Sequence, residues 1–584
     1  MRKLQCTLVL LVASCAHQGL VPATPYGRSA DLNSSYEAKG AGGVAVATQG
    51  RYATDAAFEI LRRGGNIVDA AVAVSMVQAV ERPHSTGLGG GGFVLWGKKT
   101  AAGGKVEAWD FRERAPLAAH SKMFIDLKSG KAVPELSRYG RLASGVPGMV
   151  AGLYEFHRAN GKLPWKELLS PAIRLAQDGF EVNPELASAL EGKSDILGAN
   201  AAARAIFFHP REPRVLKEGE RLVQSDLAST LKVIAGEGKD TFYKGSIAKK
   251  ILEEARLSRL LITRSDLHRY KVKLRPVLQS EFRGSTIYSM PPPSSGGVHL
   301  LQILNTVERA PLEKWGILDS RSVHLVASAM QQAFADRAQF LGDPDFVKVP
   351  VAELISKEYA YSVQEKIPLD RARPVSEVRA APFRAPVESD DTIHFSIMDS
   401  EGNAVSSTQT INGHFGSGIV VRGTGILLNN EMDDFAASLS GANLFGAVAS
   451  SRANFVEPGK TPLSSMSPTL VEKEGRFVMA LGSPSGTRIL TCVTQVLLNR
   501  LVFGLSPAQS VAQIRYHQQW QPDQIQVDEP GFPAELKGRL EKLGHKVDTT
   551  NLGCRVQLVE RDTESSSLTA VSDIRAEGSA RVER

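Results

Sequence analysis

The chain has 584 residues, of which 42% are apolar and 22% are charged, and its formal net charge is +7. A chain of this size buries a large core, either as one layered α/β unit or as about two to four domains. The basic residues are scattered rather than gathered in runs interleaved with aromatic residues, so nucleic acid is not an expected partner.

The N-terminus has the pattern of an export signal. Two basic residues precede the apolar stretch 8–12, which is too short to span a bilayer. The stretch ends in Val-Ala-Ser-Cys, which resembles the bacterial lipobox, where the cysteine, here Cys15, becomes the lipidated first residue. We predict a lipoprotein-type signal peptide over 1–15, a polar tether over 16–38, and a lipid-anchored protein of the periplasm or cell envelope. A plain signal peptide, cut after a small residue, is the alternative.

Cysteine and histidine spacing predicts neither a disulfide framework nor a metal site. Besides Cys15 and Cys6 of the signal, only Cys492 and Cys554 remain, and both have apolar neighbours. We expect two buried thiols there, with a single disulfide bond as the alternative. Four histidines lack paired ligand spacing and are expected in structured loops: His84, His394, His414 and His517.

The first elements are predicted as a strand followed by two helices. Residues 44–47 form a short apolar run, and 51–63 has helical spacing that stops at Gly-Gly-Asn, a helix-end signal. Residues 67–80 are apolar on all sides, which indicates a buried helix. The glycines at 87–92 match a dinucleotide fingerprint formally, but they precede a strand instead of following one. They therefore predict close backbone packing.

The middle of the chain, 118–280, is predicted to be mainly helical, and the part after 392 to be rich in strands. Predicted helices lie at 148–159, 163–177, 225–236, 298–308, 320–340, 487–503 and 507–515. Predicted strands lie at 93–96, 394–410, 418–428 and 468–482. This succession predicts a pair of sheets with helices on the outside.

Thr392 stands where the character of the chain changes. Residues 369–391 are charged, rich in Arg and Pro and without apolar period, whereas the residues from 392 onward alternate as in a strand. A tether that ends at a β-hairpin predicts a cleavage site, here between Asp391 and Thr392. The cut would give Thr392 a free α-amine with a pKa of about 7.7–8.0, which can accept the proton of its own hydroxyl.

Residues 388–396, ESDDTIHFS, resemble the processing site of γ-glutamyltransferases (γ-glutamyl transpeptidases). Other resembling stretches lie at 110–116, 288–297, 335–337, 341–345, 427–435 and 462–469, so the similarity extends over about residues 40–575. The resemblance implies an α+β fold, the four-layer αββα sandwich of the N-terminal-nucleophile (Ntn) hydrolases. It also implies a precursor that cuts itself into a large subunit, 39–391, and a small subunit, 392–584, which stay associated.

The resemblance further implies roles for single residues. Thr392 would attack a γ-glutamyl amide and pass the acyl group to water, an amino acid or a peptide, and Thr410 would hydrogen-bond the nucleophile. Arg112 would bind the α-carboxylate, whose two oxygens fit a guanidinium, with Ser464 and Ser465 as further donors. The α-ammonium would be held by Asn412, Glu431 and Asp434. The last two would otherwise be expected as an exposed turn pair. No organic cofactor is implied.

Three positions depart from the family pattern. The family's oxyanion hole uses the N–H groups of two adjacent glycines, and this chain has Ser485 and Gly486 there. A positive φ at a serine would cost about 1–2 kcal/mol. Ile393 stands where many members have Thr or Ser. Phe445, in the predicted lid 436–460, replaces a Tyr of many bacterial members, and we expect a leakier lid and more hydrolysis.

The leading prediction is therefore a self-processing γ-glutamyl transferase/hydrolase that acts on glutathione. Two alternatives keep the fold, namely an acylase for glutaryl-type side chains and a poly-γ-glutamate hydrolase. A glutaryl donor lacks an ammonium group and would leave Glu431 and Asp434 unpaired. A third alternative is an inactive surface lipoprotein kept for binding, which only Ser485 and Ile393 favour.

Overall fold

The computed structural model describes residues 36–101, 103–378, 392–438, 443 and 448–584. The strands of this part are β1 (Glu37–Ala41), β2 (Val44–Thr48), β3 (Gly91–Thr100), β4 (Gly103–Asp110), β5 (Phe180–Glu181), β6 (Arg221–Leu222), β7 (Lys273–Arg275), β8 (Leu278–Phe282), β9 (Ser285–Ser289), β10 (Ile393–Asp399), β11 (Ala404–Thr410), β12 (Val420–Val421), β13 (Ile426–Leu427), β14 (Thr469–Lys473), β15 (Arg476–Gly482), β16 (Tyr516–His517), β17 (Ile525–Asp528), β18 (Val547–Thr550), β19 (Gln557–Arg561), β20 (Ser567–Ser572) and β21 (Ser579–Glu583).

The helices of the same part are α1 (Arg51–Arg62), α2 (Ile67–Glu81), α3 (Pro134–Arg138), α4 (Met149–Asn160), α5 (Trp165–Leu168), α6 (Ser170–Asp178), α7 (Pro184–Gly192), α8 (Ser194–Ala199), α9 (Ala201–Phe207), α10 (Ser225–Glu237), α11 (Asp240–Tyr243), α12 (Ser246–Ser258), α13 (Arg264–Arg269), α14 (Gly296–Val307), α15 (Leu312–Trp315), α16 (Ser320–Phe340), α17 (Val351–Leu354), α18 (Lys357–Glu365), α19 (Arg488–Leu501), α20 (Pro507–Ala512) and α21 (Ala534–Lys542). Short 3-10 helices lie at Gly140–Leu142, Val375–Glu377 and Glu431–Asp434.

Two antiparallel seven-stranded sheets form the centre of the molecule. One has the strand order β1-β20-β19-β15-β14-β9-β8, and the other has the order β21-β2-β10-β11-β3-β4-β7. The sheets contact each other through β10, β11, β15 and β19. Helices α14 and α19 pack on the first sheet, and α1, α2 and α4 pack on the second. This four-layer arrangement confirms the predicted αββα fold.

Both faces of the second sheet are buried. Ala45 and Phe93 belong to the apolar cluster shared with the first sheet, whereas their chain neighbours Val46 and Val94 belong to the cluster shared with α1 and α2. Successive side chains of a strand point to opposite faces, so one strand contributes to two cores. The central strands of this sheet are therefore fixed in register from both sides.

Helix α2 is buried along its whole length, as its all-round apolar sequence predicts. Its start is set by a capping box, in which the Asn66 side chain accepts from the N–H groups of Val68 and Asp69. In return, the Asp69 carboxylate accepts from the N–H of Asn66. No helix in the described ranges is long and apolar enough to cross a bilayer.

Several boundaries differ from the predictions, and three of them have a clear local reason. The predicted helix 163–177 is two helices, α5 and α6, because Pro171 follows the junction at Leu169 and cannot continue the hydrogen-bond ladder of α5. The predicted strand 418–428 is a short β12–β13 hairpin, whose turn includes Gly423 and Gly425 at positive φ. Strand β1 begins at Glu37, inside the predicted tether, because it pairs with β20.

Each of the two sheets contains strands from before and from after Thr392. Strand β10 lies between β2 and β11, and β11 in turn pairs with β3. In the other sheet β14 pairs with β9, and β1 pairs with β20. A cut before Thr392 would therefore leave two pieces that both contribute strands to each of the two sheets.

Cys492 and Cys554 form a disulfide bond. The expectation of two buried thiols was wrong in its chemistry, although both residues are fully buried. Cys492 lies in α19 and Cys554 in the loop before β19, and their Cα atoms are 6.5 Å apart despite a separation of 62 residues. Sequence spacing carries no information on this approach, because it depends on how α19 packs.

The imidazole of His394 fills the space between the two sheets. The residue is fully buried in β10, and its ring nitrogens hydrogen-bond to the hydroxyls of Thr408 (2.8 Å) and Ser396 (3.0 Å). Burial lowers the pKa of His394 to about 3, so the ring is neutral. Across the interface lies Gly482 of β15, where a Cβ atom would overlap the ring of His394.

We expect Gly482→Ala to destabilise the protein by about 1–3 kcal/mol, because the added methyl group overpacks the contact between the sheets. The matched control is Gly236→Ala in the last turn of α10, where a Cβ meets no atom within 4 Å. It should be neutral or stabilising by up to about 1 kcal/mol. Thermal unfolding of both variants checks this, and equal midpoints would contradict it.

Candidate active site

The register of the β10–β11 hairpin brings Thr392 and Thr410 together. Ile393 is the partner of Gln409, so one further step of the antiparallel ladder places Thr392 opposite Thr410. Both threonines are buried, and both line one small cavity. The Thr410 hydroxyl accepts a hydrogen bond from the N–H of Asn412 at 2.8 Å. A threonine at the end of a central strand is thus held at the wall of this cavity.

The cavity gathers most of the side chains predicted for the site. Besides the two threonines, its lining includes Arg112, Asn412, Glu431, Asp434, Ser464, Ser465 and Gly486. Ser485 lies beside the lining rather than in it. The positions Cys15, Asp391 and Phe445 lie outside the described residues.

Arg112 is buried directly after β4 and is held by both main-chain and charged groups. Its N–H donates to Asp110 Oδ1 (3.0 Å), and its Nε donates to the carbonyl of Pro462 (3.2 Å). The guanidinium forms ion pairs with the carboxylates of Glu431 and Asp434. Burial opposes the charge, but the surrounding carboxylates outweigh it and raise the pKa of Arg112, which stays charged.

Glu431 and Asp434 are not an exposed turn pair, because both are buried in the 3-10 helix Glu431–Asp434. Removal from water raises the pKa of both carboxyls, and that of Asp434 reaches about 7. The positive charge of Arg112 acts in the opposite direction and limits both shifts. The acids therefore hold a cation in this site, which here is a side chain of the protein.

Two charged residues of the site were not predicted, Glu113 and Arg337. Glu113 is fully buried beside Glu431, and burial together with that neighbour raises the pKa of Glu113 well above its ordinary value. Arg337 lines the cavity, and it donates to the hydroxyls of Ser295 (3.0 Å) and Ser465 (3.4 Å). The signal available for Arg337 was its place in the resembling stretch 335–337, and for Glu113 it was adjacency to Arg112.

The site thus contains two guanidinium groups and three carboxyl groups. Burial lowers the pKa of Arg337 to about 10, so this residue still carries a positive charge at neutral pH. The raised carboxyl pKa values mean that the acids bind a proton more readily than in water. Within the described ranges, no three His, Cys, Asp or Glu side chains are arranged to hold a metal ion.

The remaining predicted polar residues are fixed by local hydrogen bonds. Asn412 has a φ of 75°, and its Nδ2 donates to the carbonyl of Asn430 at 3.0 Å. The Ser464 hydroxyl accepts from the N–H of Met466 at 3.1 Å. Asn412 and Ser464 are therefore fixed in position by neighbouring loops, and both line the cavity.

The loop before α19 brings Gly486 to the cavity. Gly486 has a φ of 50°, and the preceding Ser485 has a φ of 105°, which is the positive value that makes a serine costly by about 1–2 kcal/mol. The Ser485 hydroxyl donates to the carbonyl of Leu552 at 2.5 Å, away from the cavity. A serine therefore occupies a glycine-type conformation here and is anchored by its own side chain.

The sequence model of the Gamma-glutamyltranspeptidase family matches residues 53–582. The chain belongs to this family. A curated relative from Escherichia coli (strain K12), named glutathione hydrolase proenzyme, is 44% identical over 542 residues, which cover 92% of this chain and 91% of the relative. The prediction of the family from short stretches is confirmed over most of the chain.

Solved structures agree with the family and the fold. The cephalosporin acylase from Bacillus halodurans is 26% identical and covers 97% of this chain and 99% of its own, with a TM-score of 0.83. The gamma-glutamyltranspeptidase of Helicobacter pylori is 40% identical and covers 56% of this chain and 93% of its own, with a TM-score of 0.54. The Ntn-hydrolase sandwich is thus shared with a structure named as a cephalosporin acylase and with one named as a gamma-glutamyltranspeptidase.

We expect Arg112→Met to destabilise this protein more at pH 8 than at pH 5.5. Without the guanidinium, the folded-state pKa values of the three acids rise further above their unfolded values, so stability falls as pH increases through them. Removal of one partner from a buried ion pair costs about 3–5 kcal/mol when the acids are ionised.

Thermal unfolding at the two pH values measures this difference, with Arg211→Met as the control at an exposed arginine. The control should shift neither midpoint. An Arg112→Met loss of the same size at both pH values would show that the acids are not titrating in response to the missing cation.

Proposed function

We propose that this chain is a self-processing γ-glutamyl hydrolase and transferase that cleaves glutathione and related γ-glutamyl amides. The observation that carries the proposal is that Thr392 shares one cavity with Arg112 and the acids Glu431 and Asp434. The E. coli relative is named glutathione hydrolase proenzyme, which supports both the substrate and the processing.

The charge pattern of the cavity fits the head of a γ-glutamyl donor. This head carries an α-carboxylate and an α-ammonium on one carbon atom. In the free protein, Arg112 is paired with Glu431 and Asp434. A zwitterion can enter between them, because its carboxylate replaces the acids on Arg112 and its ammonium replaces Arg112 on the acids. Every buried charge then keeps a partner, which avoids the cost of an unpaired ion.

The proposed chemistry begins with a cut between Asp391 and Thr392. The freed α-amine of Thr392 accepts the hydroxyl proton while Oγ1 attacks the γ-carbonyl carbon of the donor. The proton then passes to the departing amine, and a γ-glutamyl ester on Thr392 remains. Water or the amine of an amino acid or peptide acceptor then attacks this ester, the bond between the acyl carbon and Oγ1 breaks, and the proton of the attacking group passes through the α-amine to Oγ1 of Thr392. The backbone N–H groups of Ser485 and Gly486 donate to the oxyanion of both steps, and Thr410 orients the nucleophile.

Two other donors of the same fold are less well matched to these charges. A glutaryl amide, the type of donor of an acylase, would pair with Arg112 but leave Glu431 and Asp434 without a cation. In poly-γ-glutamate only the first residue has a free ammonium, so the site would accept that polymer only from its amino end. An inactive binding protein is set aside, since the chain belongs to an enzyme family at 44% identity to a named hydrolase.

We further propose that the protein acts in the periplasm or cell envelope and is anchored by a lipid on Cys15. The sequence pattern around Cys15 is one support. The buried bond between Cys492 and Cys554 is the other, because disulfides persist in oxidising compartments and are rare in the cytosol of mesophiles.

We expect Thr392→Ala to remain a single chain on a denaturing gel, whereas the parent protein separates into two bands. N-terminal sequencing of the smaller band should begin at Thr392. Thr392→Ser keeps a hydroxyl and an α-amine, so it should still be cut and retain activity. A parent protein that is active without a new N-terminus at position 392 would overturn the proposed nucleophile.

We expect release of p-nitroaniline from γ-glutamyl-p-nitroanilide to exceed release from the glutaryl analogue by at least about 100-fold in kcat/KM, because the buried acids reject a donor without an ammonium. Asp434→Asn should narrow this ratio, since it removes one acid that the ammonium needs. A dipeptide acceptor should accelerate release from the first substrate. Equal rates on the two anilides would favour the glutaryl acylase instead.

A further inference from the structure

The conformation of Ser485 needs a cause, because nothing in its own chemistry favours it. A φ of 105° lies in the region that glycine adopts freely and other residues avoid. Ser485 is also buried, at 2% exposure, and it precedes the cavity-lining Gly486. A residue keeps such a backbone only where its surroundings over-determine it.

A short segment, residues 552–555, holds Ser485 in this conformation, and we term it the brace. The brace runs along the loop 483–485 and is bonded to it at two points. The Ser485 hydroxyl donates to the carbonyl of Leu552 at 2.5 Å, and the N–H of Arg555 donates to the hydroxyl of Ser483 at 3.0 Å. A serine side chain is required for the first of these bonds, so the residue that strains the loop also supplies its anchor.

The brace is itself fixed from the other side. Cys554 is bonded to Cys492 in α19, the helix that begins at Arg488, three residues after Ser485. The N–H of Leu552 donates to Asp528 Oδ1 at 3.1 Å, and Arg515 Nη1 donates to the carbonyl of Cys554 at 3.1 Å. Cys492, Leu552 and Cys554 form a fully buried cluster of their own. The disulfide therefore ties the brace to α19, the helix that directly follows the strained turn.

We propose that the disulfide-fixed brace is a positioning device for the oxyanion hole. It holds Ser485 through its hydroxyl, and in this way aims the N–H groups of Ser485 and Gly486 at the reacting carbonyl. This inference rests on the proposed function, because it gives the loop its catalytic role. Ser485 thus acts in two ways, as a backbone donor and, through its side chain, as the point where the brace holds the loop.

The first test compares two substitutions at one position. Ser485→Ala keeps the Cβ atom, which strains the backbone at this positive φ, but loses the hydroxyl that anchors the loop. Ser485→Gly also loses the hydroxyl, but glycine adopts this φ without strain and does not need the anchor. We expect kcat of Ser485→Ala for γ-glutamyl-p-nitroanilide to fall about tenfold below that of Ser485→Gly, with KM within about twofold, because the lost interaction is made only in the transition state. Equal kcat values, or Ser485→Gly below Ser485→Ala, would overturn the proposal.

The second test removes the disulfide with Cys492→Ala and Cys554→Ala together, in the parent protein and in the Ser485→Gly protein. We expect kcat to fall about tenfold in the parent but less than about twofold in the Ser485→Gly protein, because only serine needs the brace. An equal loss in both backgrounds would mean that the disulfide acts on folding alone, and would overturn the proposal.

Controls separate this inference from the proposed function. Appearance of both subunit bands reports folding of the Ser485 and cysteine variants, and the uncut Thr392→Ala protein sets the activity baseline. A parent protein without γ-glutamyl activity would refute the proposed function. An active parent whose Ser485 and cysteine variants lack the expected differences in kcat would refute the role of the brace alone. If the cysteine variants do not fold, the comparison of Ser485→Ala with Ser485→Gly decides by itself.

Discussion

Strand β10 begins one residue after Thr392 and lies in the middle of a seven-stranded sheet, and the rest of the molecule depends on that position. Its neighbours are β2 and β11, and its two faces contact different cores. A strand buried on both faces cannot slip by one residue without exchanging the faces of all its side chains. The location of Thr392 is therefore set as firmly as the sheet itself, and segments before and after it are both needed to build that sheet.

The second determinant is the treatment of buried charge. Arg112 in the first half of the chain is paired with Glu431 and Asp434 in the second, and Glu113 and Arg337 lie beside them. Buried ions are tolerated only when each finds a partner. In the function proposed above, such a site would select a ligand that brings one positive and one negative charge, because any other ligand would leave an ion unpaired.

Much of the fold was predictable because it depends on local patterns. The all-round apolar helix α2, the helix α16 and the hairpin that follows Thr392 were predicted within a few residues of their observed bounds. Failures came where a single residue changed the backbone, as Pro171 does between α5 and α6. The predicted site residues came from the family resemblance, which names positions but not their surroundings. It therefore missed Glu113 and Arg337, which lay within resembling stretches without an assigned role.

The sequence by itself determined the family, the layered architecture and the position of the candidate nucleophile, because each depends on contiguous stretches of residues. Only the tertiary structure decided which distant groups meet. Arg112 and Asp434 are 322 residues apart, and Cys492 and Cys554 are 62 apart. Their pairing, the positive φ of Ser485 and the anchor at Leu552 all follow from how sheets, helices and loops pack. No local pattern encodes such contacts, since their energy comes from burial that exists only in the folded chain.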